Sequence, residues 1–285
     1  PKSIRDSKFS LDELINILKK KGIKNNDILV IHSNMKELSK CGLSPVEIVH
    51  NIKNLLCPNG TLVCPTFPIF PKKNKKNQRY ISLKESKFKY DVKKSLPWTG
   101  LFGIILMNIP RSKRSIHPIN TLTAYGESVD QIFNNETLDN LDLPCGKNSS
   151  WANLVNLNAK ILCLGVDLAH SLTMVHVAED CYENYWPVKN WYRKRTFTIK
   201  TNKEEREVSL RERNPKWACS YCEKKLNYDL YKNKIANKFK LGSLEVSILE
   251  SKDLIRFIEY MKYKKNPTYP FYYCWISKIF YGTNS

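Results

Sequence analysis

The chain is poor in acidic residues, in glycine and in long apolar runs, and each shortage closes or narrows a class of function. Asp and Glu number 27 against 47 Lys and Arg, which leaves a net charge of +20. Such a balance favours partners that carry phosphate or other negative charge. The lysines are spread along the whole chain among asparagines and isoleucines, however, a mixture that biased codon usage also produces. Only 10 glycines are present. Neither GxGxxG nor a P-loop occurs, so a dinucleotide fold or an NTPase has no support. No stretch approaches the ~20 consecutive apolar residues of a membrane span. Charged residues stand at the N-terminus where a signal peptide needs its apolar region, and a cytoplasmic protein is expected. The 9 cysteines are odd in number and follow no repeated framework, which suits a reducing compartment. Cys219 and Cys222 alone have metal-like spacing. Neither a second such pair nor a nearby histidine completes a four-ligand zinc set, so no metal is expected.

What is present is enough for a core. A hydrophobic content of 42% with 11% aromatics supports a globular chain without disulfides or metal. A single domain over 1–285 is the simplest reading, with 195–285 as a candidate C-terminal subdomain of hairpin and helices. Leu11, Leu14, Ile15 and Leu18 recur at helical spacing after Ser10, with Asp12 and Glu13 in the first turn, where the helix dipole favours acids. The run 27–33 is of buried-strand type, a helix over 45–56 that Ser44 can cap follows, and Thr61–Thr66 is a second strand. This alternation predicts an α/β fold with a mostly parallel central sheet flanked by helices and a smaller α+β C-terminal part. In such sheets the strand ends carry the ligand.

Further along, residues 71–94 read as a basic loop with interleaved aromatics, which can bind single-stranded nucleic acid or stack on a nucleotide base. Helices are expected at 99–109 and 150–157, a buried strand at 159–166, a hairpin from Arg193–Ile199 and Glu207–Leu210, one helix over 221–239, a short strand at 242–248 and a last helix over 252–263. Two stretches concentrate chemistry. Arg114–Gly126 sets a guanidinium, His117 and several hydroxyls beside an apolar run, and reads either as a site or as a core strand with its lead-in loop. His176 and Glu179 are three residues apart on a helical stretch, hence neighbours on one face, as a base and its carboxylate support would be.

Five blocks, Leu29–Asn34, Gly60–Phe67, Arg114–Gly126, Ile161–Val166 and Thr173–Glu179, occur in the order in which the sequence resembles the aminoglycoside 3-N-acetyltransferase family. The resemblance covers residues from about 10 to 190. It implies acetyl transfer from acetyl-coenzyme A to an amine, with no metal. It also implies that His32, Ser33, Asn34, Arg114 and Ser115 lie around the coenzyme, and that His176 and Glu179 lie at the reacting amine. Asn120 and Thr121 depart from the histidine and serine common in antibiotic-modifying members, which turns attention to a different acceptor.

Acyl transfer to an amine needs a base for the amine proton and donors for the thioester oxyanion. His176 is the first candidate for base, with Glu179 orienting it, and His117 is the second. Arg114 suits a phosphate or a pantetheine carbonyl, and Ser33, Ser115 and Thr123 can donate shorter bonds. Asn120, Thr121, Tyr80 and Asp91 are the candidates for the acceptor side. No cysteine sits beside a base, so direct transfer without an acyl-enzyme is expected. The net charge favours a nucleotide-linked amino sugar used in surface polysaccharide synthesis, with an aminoglycoside as the alternative acceptor. A basic nucleic-acid-binding protein is the alternative of another class.

Overall fold

A computed structural model describes residues 8–70, 88–182, 191–214 and 223–264. The first elements form where local chemistry asks for them. In α1 (Leu11–Lys20) the Ser10 hydroxyl accepts from the Glu13 amide and the Glu13 carboxylate accepts from the Ser10 amide, a reciprocal cap. β1 (Ile28–Ser33) is buried from Ile28 through His32. α2 (Met35–Lys40), a turn and a half that the periodicity does not reveal, starts at once because Asn34 caps it. The Asn34 side-chain oxygen accepts from the Lys36 and Glu37 amides at 3.0 and 3.4 Å. α3 (Pro45–Leu56) begins after Ser44, whose side chain makes no capping bond; Pro45 occupies its first turn, where a missing N–H is harmless. β2 is Thr61–Pro65.

β3 (Phe88–Asp91) lies in the stretch expected to be loop, with Tyr90 fully buried. α4 (Leu101–Met107), β4 (Lys113–Arg114), β5 (Leu122–Gly126) and α5 (Val129–Phe133) follow, then α6 (Ser150–Asn156) and β6 (Lys160–Leu164). Two short helices, α7 (Leu168–Ser171) and α8 (Val175–Asp180), precede the hairpin of β7 (Tyr192–Lys200) and β8 (Glu205–Arg213). The helix expected over 221–239 is shorter. α9 is Glu223–Lys232, Lys234 turns at φ 57°, and the chain continues as β9 (Ala236–Leu241). β9 is an edge strand with exposed lysines and so lacks an apolar signature. β10 (Leu244–Glu250) and α10 (Ser251–Tyr263) complete the described chain. Among the described residues no helix is long and apolar enough to cross a membrane.

The main sheet has the order β4-β5-β2-β1-β6-β10-β9. Its three central strands are parallel, with β1 between β2 and β6; the strands on both flanks pair antiparallel. Alternation along the strands fills two cores. Leu29, Ile31, Leu162 and Leu164 face α1, α3 and α4, whereas Val30, Ile161 and Cys163 face the side of Trp151 and Ile258. A second sheet, β3-β7-β8, packs Tyr90, Phe197, Ile199 and Leu210 into a third cluster. Among the described residues of 195–285, the hairpin belongs to the second sheet, and β9 and β10 extend the main one.

α4 approaches the end of β2 at Gly103, where a Cβ would lie 2.7 Å from Thr66 Cγ2 and 2.8 Å from the Pro65 carbonyl oxygen. Gly103→Ala is expected to cost about 1–3 kcal/mol by overpacking. Denaturant unfolding checks it, and an unchanged midpoint would show that α4 shifts freely.

Candidate active site

The carboxyl ends of β1, β2 and β6 lie side by side, the position at which parallel strands present a ligand site. Those of β1 and β2 border a cavity of about 150 Å³. β1 delivers His32 and Ser33 to it, the segment after β2 delivers Phe67, and Phe102 and Gly103 of α4 line another wall. Among the described residues no charged side chain lines this cavity, and its polar side-chain groups are hydroxyls, the Cys64 thiol, the Trp98 indole and the His32 imidazole. Burial holds the imidazole of His32 down at about 4 and pushes the thiol of Cys64 up to about 12, so both are neutral near pH 7. His32 Nε2 is buried without a hydrogen-bond partner among the described residues. Such an atom suits a polar, uncharged group arriving in the cavity.

His176 stands across the Ser171–Thr173 segment from this cavity. It lines a smaller cavity of about 80 Å³ that shares Ser171 and Thr173 with the first. Its Nδ1 is 3.1 Å from Oε2 of Glu179, one helical turn along α8, and Glu179 is completely buried. With Nδ1–H donating to that carboxylate, the Nε2 lone pair is the proton acceptor a base requires, once the arginine that faces it has moved aside. Arg213, the last residue of β8, reaches in from the second sheet. Its Nη1 lies 2.5 Å from His176 Nδ1, 2.8 Å from His176 Nε2 and 3.4 Å from Glu179 Oε2, so the guanidinium covers both ring nitrogens. Asp180, the next residue of α8, accepts from the Tyr192 hydroxyl at 2.9 Å and from the Cys145 amide at 3.2 Å. Burial raises its carboxyl, and Arg213 opposes that rise. Asp180 faces a separate cavity of about 340 Å³, so consecutive carboxylates serve different surroundings.

The Arg114–Gly126 stretch is scaffold in this structure. Arg114 donates through Nη1 to the carbonyls of Ser95 (2.6 Å) and Val92 (3.2 Å) and through Nη2 to that of Thr66 (2.7 Å), with its guanidinium over the Tyr90 ring. Its planar fork thus ties together two backbone segments through three carbonyls, where a phosphate contact was expected. The Ser115 hydroxyl donates to the half-buried Glu136 carboxylate and accepts from the His117 amide. His117 is held by backbone partners. Its Nδ1 meets the backbone of Ile119 at 2.9 and 3.1 Å, and Nε2 lies 3.3 Å from the Asp142 carbonyl. Burial holds it down at about 4, with those carbonyls opposing the shift. Both nitrogens thus face backbone groups, and the ring lines the same cavity of about 340 Å³ as Asp180.

The other candidates are similarly engaged. Thr121 donates to the His117 carbonyl at 2.7 Å, and Thr123 pairs with the Thr66 hydroxyl at 3.0 Å. Asn120 turns at φ 53° and its carbonyl accepts from the Trp151 indole. Asp91 accepts from the amides of Lys93 and Lys94 in a turn. Asn34 holds its cap. Tyr80, Cys219 and Cys222 lie outside the described residues. Among the described residues no group of three or more His, Cys, Asp or Glu could hold a metal ion. Arg213 escaped sequence reasoning because it lies 34 residues from Glu179 on a strand whose alternation is ordinary.

A family model for aminoglycoside 3-N-acetyltransferase matches residues 30–262. Aminoglycoside N(3)-acetyltransferase IV from Salmonella sp is 27% identical over 168 residues, 59% of this chain and 57% of that protein. The match thus spans less than two thirds of that relative. A solved structure of AAC-IIIb in a binary complex with CoASH superposes with a TM-score of 0.74 at 17% identity, over 93% of this chain and 100% of that one. A mutant form of aminoglycoside acetyltransferase AAC(3)-IVa in complex with apramycin gives 0.67 at 20% identity, over 91% and 94%. These likenesses establish the α/β fold with its mixed seven-stranded sheet.

Both buried histidines bear on stability. An unfolded imidazole titrates near 6.5, whereas His32 and His117 are held at about 4 when folded. Unfolding therefore takes up protons between these values. Stability is complete above pH 6.5 and falls as pH drops towards 4, by on the order of 3 kcal/mol for each histidine. Denaturant unfolding across this range checks it: His117→Asn should flatten the dependence, and an identical slope in the variant would remove the assignment.

Proposed function

The chain belongs to the aminoglycoside 3-N-acetyltransferase family, and from that premise we propose that it transfers the acetyl group of acetyl-coenzyme A to an amine of an amino sugar. The observation that carries the reading is the pairing of two unlike sites across Ser171–Thr173. One is a cavity with neutral lining at the strand ends, the other a histidine held by a buried carboxylate. The neutral cavity fits the uncharged thioester end of the donor, and His32 Nε2, unpartnered within it, is suited to a carbonyl or amide of that arm. A lining without charge offers nothing to phosphates, so the nucleotide end of the coenzyme belongs outside it.

On the amine side His176 takes the proton at Nε2 as the amine nitrogen attacks the thioester carbonyl. The C–N bond forms, the C–S bond breaks, and the leaving thiolate takes up a proton. Glu179 holds the imidazole through Nδ1 and offsets the charge it gains. The Cys64 thiol, pushed up to about 12, is a poor nucleophile, which favours direct transfer over an acyl-enzyme.

The relatives' names favour an aminoglycoside as acceptor over the nucleotide-linked amino sugar expected from charge alone. The second acceptor keeps one observation in its favour, the net charge of +20, which attracts a diphosphate and repels a polycation.

Release of coenzyme A, measured with aminoglycosides, simple amino sugars and nucleotide-linked amino sugars, tests the reading. Turnover is expected with at least one class. His176→Ala, compared at equal folded fraction, should lower kcat by roughly 10²–10⁴ with little change in the KM for acetyl-coenzyme A. No release with any amine, or full activity in that variant, would overturn the proposal.

A further inference from the structure

We propose that Arg213 is the residue that sets acceptor charge specificity, because its guanidinium occupies the cation position beside His176 and Glu179 that an acceptor's ammonium would take. The inference rests on the reading of His176 as the base. Arg213 Nη1 is 2.8 Å from His176 Nε2, the atom assigned to take the amine proton, and 3.4 Å from Glu179 Oε2. Glu179 is completely buried and Arg213 only a quarter exposed, so solvent screens the pair weakly.

A buried carboxylate without a cation is costly, and Arg213 supplies that cation from within the chain. Because an arginine does not release its proton, its charge persists at every working pH. An arriving ammonium must therefore move a tethered guanidinium aside and then react within a few ångströms of it. A neighbouring cation favours the neutral amine over the ammonium, which helps a single amine become nucleophilic. The same cation repels any further ammonium groups that the acceptor carries within about 8 Å, the screening length at physiological salt. Among the described residues three carboxylates share this neighbourhood: Glu179, Asp180, whose carboxyl feels the Arg213 charge, and Glu223 of α9, which lines the smaller cavity with His176. Arg213 thus offsets part of an otherwise anionic site, and its removal would leave that site attractive to a polycation.

The experiment compares glucosamine, with one amine, and apramycin, with several, as acceptors for the wild type, Arg213→Gln and Arg213→Lys. In R213Q the ratio of kcat/KM for apramycin to that for glucosamine should rise at least tenfold, carried by KM. R213K, which keeps the charge, should retain the wild-type ratio. Should R213Q fail to fold, R213T removes the same charge with a residue suited to a strand. An unchanged ratio, whatever the change in kcat, would show a structural role and overturn the inference. Calorimetric binding of each acceptor without acetyl-coenzyme A separates this from the proposed reaction. A tenfold tighter apramycin complex in R213Q supports the role of Arg213 even if no acetyl transfer occurs, whereas equal affinities remove it.

Discussion

The parallel pairing of β1 between β2 and β6 is the constraint from which the rest of the site follows. In register, Ile28 faces Thr61 on one side and Ser33 faces Leu164 on the other. Three strands running the same way release their loops at one end, so His32, the segment after β2 and the α7–α8 segment must meet there. Alternation along β1 buries Leu29 and Ile31 on one face and Val30 on the other, which locks the register because a slip of one residue would exchange the two cores. His32 is thereby carried below the surface and loses its charge at neutral pH.

Charge is sorted by the same geometry. The cavity at the strand ends has neutral walls, while Glu179, His176 and Arg213 gather on the far side of Ser171–Thr173. A thioester and an amine make opposite demands on their surroundings, the first for uncharged donors and the second for a proton acceptor with a counter-charge. The second sheet contributes to this division. Its hairpin ends at Arg213, which brings a cation to a helix of the main domain, and its edge strand β3 supports Tyr90 beneath the guanidinium of Arg114.

The dense hydrogen bonding of Arg114–Gly126 to the scaffold has a single physical origin. The stretch lies where three loops cross, and their buried carbonyls and amides require partners. Arg114 satisfies the carbonyls of Thr66, Val92 and Ser95, and His117 and Thr121 satisfy others nearby. Residue types that suit a coenzyme, a planar fork of donors and short hydroxyls, suit that work equally well. A motif alone cannot distinguish the two uses.

Local order was legible in the sequence wherever short-range physics decides it. Ser10 and Glu13 cap α1, the apolar runs form β1, β2 and β6, the hairpin pairs as its alternation implies, and the spacing of His176 and Glu179 brings them together within one helical turn. Only the tertiary structure decided that β9 is a strand, that His117 has both nitrogens engaged, and that Arg213 stands over the base. The partners in these cases come from distant segments. Such contacts depend on how sheets and helices stack, and periodicity over a few residues carries no record of that stacking.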